Sequence, residues 1–233
     1  MVDQHTAGQH TVATNGIRTA YRVWGEEGSS PVVLLHALGE DAAGWDRVAS
    51  EIAAAGHRVY GPDLRGHGGS EWPGVYSLEL MRDDVAALLD ALGLDQVDLV
   101  GHSMGGAVAY LFAQAQPRRV RRLVLEDVPP PLPRPRTVPE RPEGPLAFDW
   151  AMVTAVRAQI DDPDPAWLDG LRRITAPALV VAGGPDSHIP QERTARMPEW
   201  IPDCRVVTIP AGHLVHAMAP GPFLDAVLAF LHG

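Results

Sequence analysis

The stretch Gly101-His102-Ser103-Met104-Gly105-Gly106 constrains this chain more than any other. An apolar run, Val97-Asp98-Leu99-Val100, leads into it, and Ala107-Val108-Ala109-Tyr110-Leu111-Phe112-Ala113 leads out. This pattern predicts a buried strand, a tight turn with Ser103 at its tip, and a helix. In such a turn the strand and the helix crowd one another. Residues without a Cβ at the flanking positions, Gly101 and Gly105, relieve that crowding. The turn lifts the Ser103 hydroxyl out of the sheet. It also sets the Met104 N–H, at the start of a helix, where negative charge can gather.

The rest of the chain alternates between strand and helix signals. His10 to Ala13 and Ile17 to Trp24 flank Asn15-Gly16, a tight-hairpin dipeptide. Pro31 to His36 is a continuous apolar run, the mark of a strand covered on both faces. A helix with Trp45, Val48, Ala49 and Ile52 on one side follows, then a short strand, Arg58 to Tyr60, and a glycine-rich loop, Gly61 to Ser70. Ser77 is placed to cap a helix whose Met81, Val85, Leu88, Leu89 and Leu92 recur at helical spacing. Val120 to Glu126 reads as another buried strand. Further strands are expected at Ala178 to Ala182 and Arg205 to Ile209, a short helix at Pro190 to Met197, and a closing helix at Phe223 to Leu231. The class is α/β, a parallel sheet with helices on both faces.

The alternation breaks at Pro129. Residues 129 to 145 hold eight prolines, a composition that continues neither sheet nor helix. Leu146 to Ile160 then reads as helical. Residues 129–165 are expected to form an insertion over the sheet, too short for a core of its own, with 1–128 and 166–233 forming the main domain.

Bulk properties remove whole classes of function. The net charge is −10, and all 19 basic residues are Arg. That balance speaks against nucleic acid and anionic membrane surfaces as partners. Without a Lys there is no Schiff base, no pyridoxal-phosphate lysine and no Walker-type P-loop. Cys204 is alone, so neither a disulfide framework nor a thiolate zinc cluster is expected. Met1 to Thr14 lacks the charged-then-apolar pattern of a signal peptide, and no apolar run approaches the roughly 20 residues of a membrane helix. A cytoplasmic protein is the expectation.

A serine hydroxyl is inert near neutral pH unless an imidazole takes its proton, and the imidazole needs a carboxylate to fix its tautomer. In parallel α/β sheets such groups gather at the carboxyl ends of strands. His213, just past the last strand, is the candidate base. His102, adjacent to Ser103, is expected to point away from it and pack. His36 and His67 are expected to shape their loops by hydrogen bonds, and His5, His10, His57 and His232 to lie on the surface. His213 and His216 lack the companion ligands of a metal site, so no metal is expected. Two strand-end acids, Asp186 and Asp127, compete to hold the base. The bland role for Asp127 is a cap beside the prolines, and Asp161, Asp162 and Asp164 are expected to be solvated.

Over nearly its whole length the chain resembles the α/β-hydrolase superfamily, in its serine esterase and lactonase-like branch. The motifs are His36-Ala37-Leu38-Gly39, Asp63-Leu64-Arg65-Gly66-His67-Gly68, Gly101-His102-Ser103-Met104-Gly105, Gly183-Gly184-Pro185-Asp186 and Gly212-His213. The resemblance implies an eight-stranded, mostly parallel sheet with a short lid between strands 6 and 7. It also implies hydrolysis of a carboxylic ester, lactone or thioester through an acyl-enzyme. Ser103 would be the nucleophile, His213 the base, and Asp186 its partner. Asp127 is the alternative acid, because some relatives place the acid after the sixth strand. The oxyanion hole would be the N–H groups of Leu38 and Met104. No metal or organic cofactor is implied, and the partner is a small-molecule substrate.

Two positions depart from the family's run. Ala37 stands where glycine usually eases the backbone, and Met218 replaces a common Glu. The short, half proline-rich lid implies an open cleft, with Phe148, Trp150 and Met152 as candidates to line it. Serine at 103 speaks against the dehalogenase and epoxide-hydrolase branches, which use a carboxylate nucleophile. Cofactor-free perhydrolase, lyase or acyltransferase chemistry on the same site is the alternative, as is a non-enzymatic ligand receptor. A dinucleotide-binding module lacks its G-x-G-x-x-G arrangement here.

Overall fold

Val33 and Leu35 pack into one core while Val32 and Leu34 pack into another, and all four are sealed from water. A strand buried on both alternating faces requires helices above and below the sheet. The computed structural model describes residues 8–233 and has that arrangement; His5 lies outside the described residues. Eight strands form one sheet: β1 (Gly8–Thr14), β2 (Ile17–Trp24), β3 (Ser30–Leu35), β4 (His57–Pro62), β5 (Val97–His102), β6 (Val120–Glu126), β7 (Ala178–Ala182) and β8 (Cys204–Thr208). Their order is β1-β2-β4-β3-β5-β6-β7-β8. β2 pairs antiparallel with β1 and with β4, and from β4 to β8 every pairing is parallel. The chain reverses its direction of growth between β3 and β5, and the carboxyl ends at such a switch point form the usual crevice of this kind of sheet.

Among the described residues eight α-helices complete the fold: α1 (Asp46–Ala54), α2 (Leu78–Ala91), α3 (Met104–Ala115), α4 (Trp150–Asp161), α5 (Pro165–Gly170), α6 (Gln191–Thr194), α7 (Val215–Met218) and α8 (Pro220–His232). α2, α3, α4 and α5 feed the core on the Val33 side, and α1, α7 and α8 the core on the Val32 side. None of the described helices is long and apolar enough to cross a membrane. As the sequence suggests, Ser77 caps α2, its Oγ accepting from the Leu80 N–H at 3.1 Å.

The structure departs from expectation in three places, two of them in the stretch after β6. α4 starts at Trp150 rather than Leu146, because the Asp149 carboxylate accepts from the Ala151 N–H and caps the helix there. Asp161 is not solvated. It is buried, accepts from Arg134 Nε at 2.6 Å and from the Thr137 N–H at 3.0 Å, and so fastens the proline-rich strap to the end of α4. His57 is likewise buried, stacked on His232 with ring nitrogens 3.2 Å apart.

Candidate active site

Ser103 holds φ 51° and ψ −112°, a left-handed conformation that non-glycine residues rarely adopt. Strain of this kind persists only where the surroundings enforce it, and the two glycines are part of that enforcement. A Cβ on Gly101 would stand 2.4 Å from the Gly105 carbonyl oxygen, and one on Gly105 would stand 2.3 Å from that of Leu35. The turn therefore closes on itself and also seats against the end of β3. Met104 opens α3, and the first N–H groups of a helix have no partner within it.

The loop after β3 is shaped by two neutral imidazoles. Nε2 of His36 accepts from the Leu64 N–H at 2.9 Å, so its proton sits on Nδ1, which donates to the Ala37 carbonyl at 2.8 Å. His67 repeats this, accepting from the Gly39 N–H at 3.2 Å and donating to the Arg65 carbonyl. Burial keeps both uncharged. It lowers the pKa of His36, and with repulsion from His36 takes that of His67 down to about 3. Ala37 does not adopt a glycine-like conformation. The left-handed residue of this loop is Gly39, at φ 82°, so the alanine imposes no strain.

His213 follows β8 in a loop held by β7: the N–H groups of Ala211 and Gly212 both donate to the Gly183 carbonyl. Its Nδ1 donates to Asp127 Oδ2 at 2.7 Å. The expectation that Asp186 partners His213 is not met. Asp186 lies four residues past the end of β7 with its side chain exposed, whereas Asp127 immediately follows β6, the neighbour of β5, and is fully buried. Asp127 is itself left-handed at φ 46°, and its N–H donates to the Val181 carbonyl. Its Oδ1 accepts from the Gly183 N–H and from Gln191, each at 2.9 Å, and its Oδ2 also accepts from the Ser187 hydroxyl. Burial pushes the carboxyl up, but the hydrogen bonds from His213, Ser187, Gln191 and Gly183 outweigh it and hold the pKa below its ordinary value. An ionised Asp127 fixes the His213 proton on Nδ1 and leaves Nε2 with its lone pair.

Ser103, Met104, Leu38, Asp127 and His213 line one cavity of about 880 Å³. Its far walls come from Pro129 to Leu132, from α4 and α5, and from the segment around Ile189. Phe148, Trp150 and Met152 do not line it. Met152 is wholly buried, Trp150 is half-buried against the core, and Phe148 packs against Gly39 and His67.

A second set of charged groups, unforeseen in the sequence, lies beneath the site. Glu126 and Asp127 are consecutive, and each holds one imidazole: Asp127 that of His213, and Glu126 that of His216, at 2.9 Å. His102 is packed as expected, but it also donates from Nε2 to the His213 carbonyl at 2.9 Å, and its Nδ1 lies 3.5 Å from Glu40. Burial drives the His102 pKa down, yet Glu126 and Glu40 more than offset it and the net shift is upward. Burial likewise raises Glu40, but the hydrogen bond and charge of His102 overcome it and bring the carboxyl to about 2. His102, Glu126 and His216 have ligand atoms within 4.8 Å of one another. The Glu126 oxygens are already occupied by the His216 backbone N–H and ring, so this arrangement reads as a hydrogen-bonded ion cluster rather than a metal cradle. Met218 is exposed, and the acids of this cluster are Glu40 and Glu126.

A model of the alpha/beta hydrolase fold family matches residues 30–153. The mouse sn-1-specific diacylglycerol lipase ABHD11 is 27% identical over 97% of this chain and 89% of its own length. An enol-lactonase from Burkholderia xenovorans LB400 has a TM-score of 0.87 at 25% identity, covering 96% of this chain and 100% of its own. Epoxide hydrolase A from Mycobacterium thermoresistibile has a TM-score of 0.80 at 25% identity, covering 98% and 99%.

Proposed function

The chain belongs to the alpha/beta hydrolase fold family, and from that premise we propose that it is a serine hydrolase cleaving a carboxylic ester, lactone or thioester through an acyl-enzyme. One observation carries the reading. An imidazole with Nδ1 committed to a buried carboxylate shares a cavity with a serine held in a left-handed turn.

His213 Nε2 takes the Ser103 proton as Oγ attacks the substrate carbonyl. Asp127 stabilises the imidazolium that forms, and the N–H groups of Leu38 and Met104 receive the oxyanion. Collapse of the tetrahedral intermediate expels the alcohol or thiol, which takes the proton from His213. Water then repeats the sequence on the acyl-enzyme with His213 again as base, releasing the acid and free Ser103. Likeness to an epoxide hydrolase supports the fold more than that chemistry, since position 103 offers an alcohol and not a carboxylate. Residues 129–165 act as the cover of the cavity. No step calls for a metal or organic cofactor.

A fluorophosphonate probe tests the reading directly. Labelling is expected in the wild-type protein and absent in Ser103→Ala; equal labelling of both would refute it.

A further inference from the structure

The cavity is apolar over most of its lining, yet three guanidinium side chains, Arg134, Arg157 and Arg193, reach its wall. In a chain of net charge −10 this is a local reversal of sign. Arg134 is neutralised, since its Nε meets Asp161 at 2.6 Å. Arg157 shares that acid only at longer range, its charge helping to lower the Asp161 pKa. Among the described residues neither Arg157 nor Arg193 has a carboxylate within ion-pair distance. Arg157 donates to the Thr137 hydroxyl and Arg193 to the Pro133 carbonyl, which are neutral acceptors. The Nε of Arg157 is shielded from solvent and has no hydrogen-bond partner at all. The carboxylates that line the cavity are already engaged, Asp127 by His213 and Glu40 by His102. Two guanidinium groups on the wall of an apolar cavity, neither held in an ion pair, are placed to receive an anion from solution. Guanidinium groups match a carboxylate in shape and charge, and the surrounding apolar wall strengthens the attraction.

We propose that the substrate carries a free carboxylate on the part remote from the scissile carbonyl, and that Arg157 and Arg193 bind it. The claim rests on the serine-hydrolase reading for which bond is cut, but not for where the anion binds. It narrows the substrate from any ester to one derived from a dicarboxylic acid or an equivalent acidic lactone.

The test compares mono-p-nitrophenyl esters of straight-chain dicarboxylic acids of increasing length with their methyl-capped, uncharged counterparts. At the best length the carboxylate ester is expected to exceed its capped form by about tenfold or more in kcat/KM, the range of a charge-assisted contact. In the double variant Arg157→Gln/Arg193→Gln that ratio falls to near one, and in Arg136→Gln, an exposed arginine paired with Asp162 on the surface, it stays. Added salt lowers the ratio in the wild type. A parallel calorimetric titration of Ser103→Ala with the corresponding monomethyl dicarboxylate reads the anion site without catalysis. Binding should weaken by about tenfold or more when the two arginines are replaced in that background. A wild-type ratio near one, or unchanged binding in the arginine variant, overturns the proposal even if Ser103 is labelled. Loss of labelling and turnover with binding retained would instead overturn the reaction and leave the anion site standing.

Discussion

Asp127 is filled on both oxygens, and only one of its four donors is the imidazole of His213. An amide at this position would present its own N–H to Nδ1 and reverse the tautomer, so Asp127→Asn is expected to lower kcat by about 10⁴. Asp186→Asn, on an exposed side chain, should leave kcat within a few-fold of wild type, and steady-state ester hydrolysis by the pair decides which acid acts. Glu40 makes a prediction about acid stability. Its folded pKa, about 2, lies below the ordinary 4.5, so its contribution is whole above pH 4.5 and is lost as pH falls toward 2. The His102 shift runs the other way: its contribution is whole below 6.5 and is lost as pH rises through the elevated value. The pair therefore contributes most between those limits. Thermal unfolding should find Glu40→Gln well below wild type at pH 5, with the gap narrowing as both are taken toward pH 2. A gap independent of pH would mean that the charge on Glu40 contributes nothing.

At the level of elements, the turn between β5 and α3 was legible because its signal is local: a strand pattern, a serine between glycines, and a helix pattern. What the local pattern missed is that Gly105 is also pressed against another strand. A methyl there would fall 2.3 Å from the Leu35 and 2.6 Å from the His36 carbonyl oxygens, both backbone atoms that cannot swing aside. Gly105→Ala is expected to cost about 3 kcal/mol, at the upper end of overpacking, measured by denaturant unfolding. The partner of His213 was not legible for a related reason. Asp127 and Asp186 both follow strands, and choosing between them requires knowing that β6, and not β7, adjoins β5 and that Asp127 turns left-handed. Those are facts of register and backbone, not of composition. The cluster of His102, His216, Glu40 and Glu126 is not legible in the sequence, because Glu126 ends an apolar strand and Glu40 sits in a loop, and neither position carries a motif. Phe148, Trp150 and Met152 turn to the core because large apolar residues around the start of a helix carry no local sign of whether they meet a cavity or the interior.

For the molecule as a whole, the switch in strand order between β3 and β5 gathers the Leu38 loop, the Ser103 turn and Asp127 at the carboxyl ends of the central strands, and the strap after β6 lines the same cavity. A cavity of about 880 Å³ is far larger than an acetyl group needs. Across a series of p-nitrophenyl esters, chains of medium length should therefore be turned over at a kcat/KM at least equal to that of acetate. A steep fall with length would show the space to be closed in solution. The bond from the His102 ring to the His213 carbonyl has a mechanical meaning of its own. His213 lies in the loop beyond the outermost strand, β8, yet its backbone is hydrogen-bonded to His102, the residue next to Ser103. A displacement at the rim of the sheet then either moves the His213 backbone together with the turn that carries Ser103 or breaks this bond.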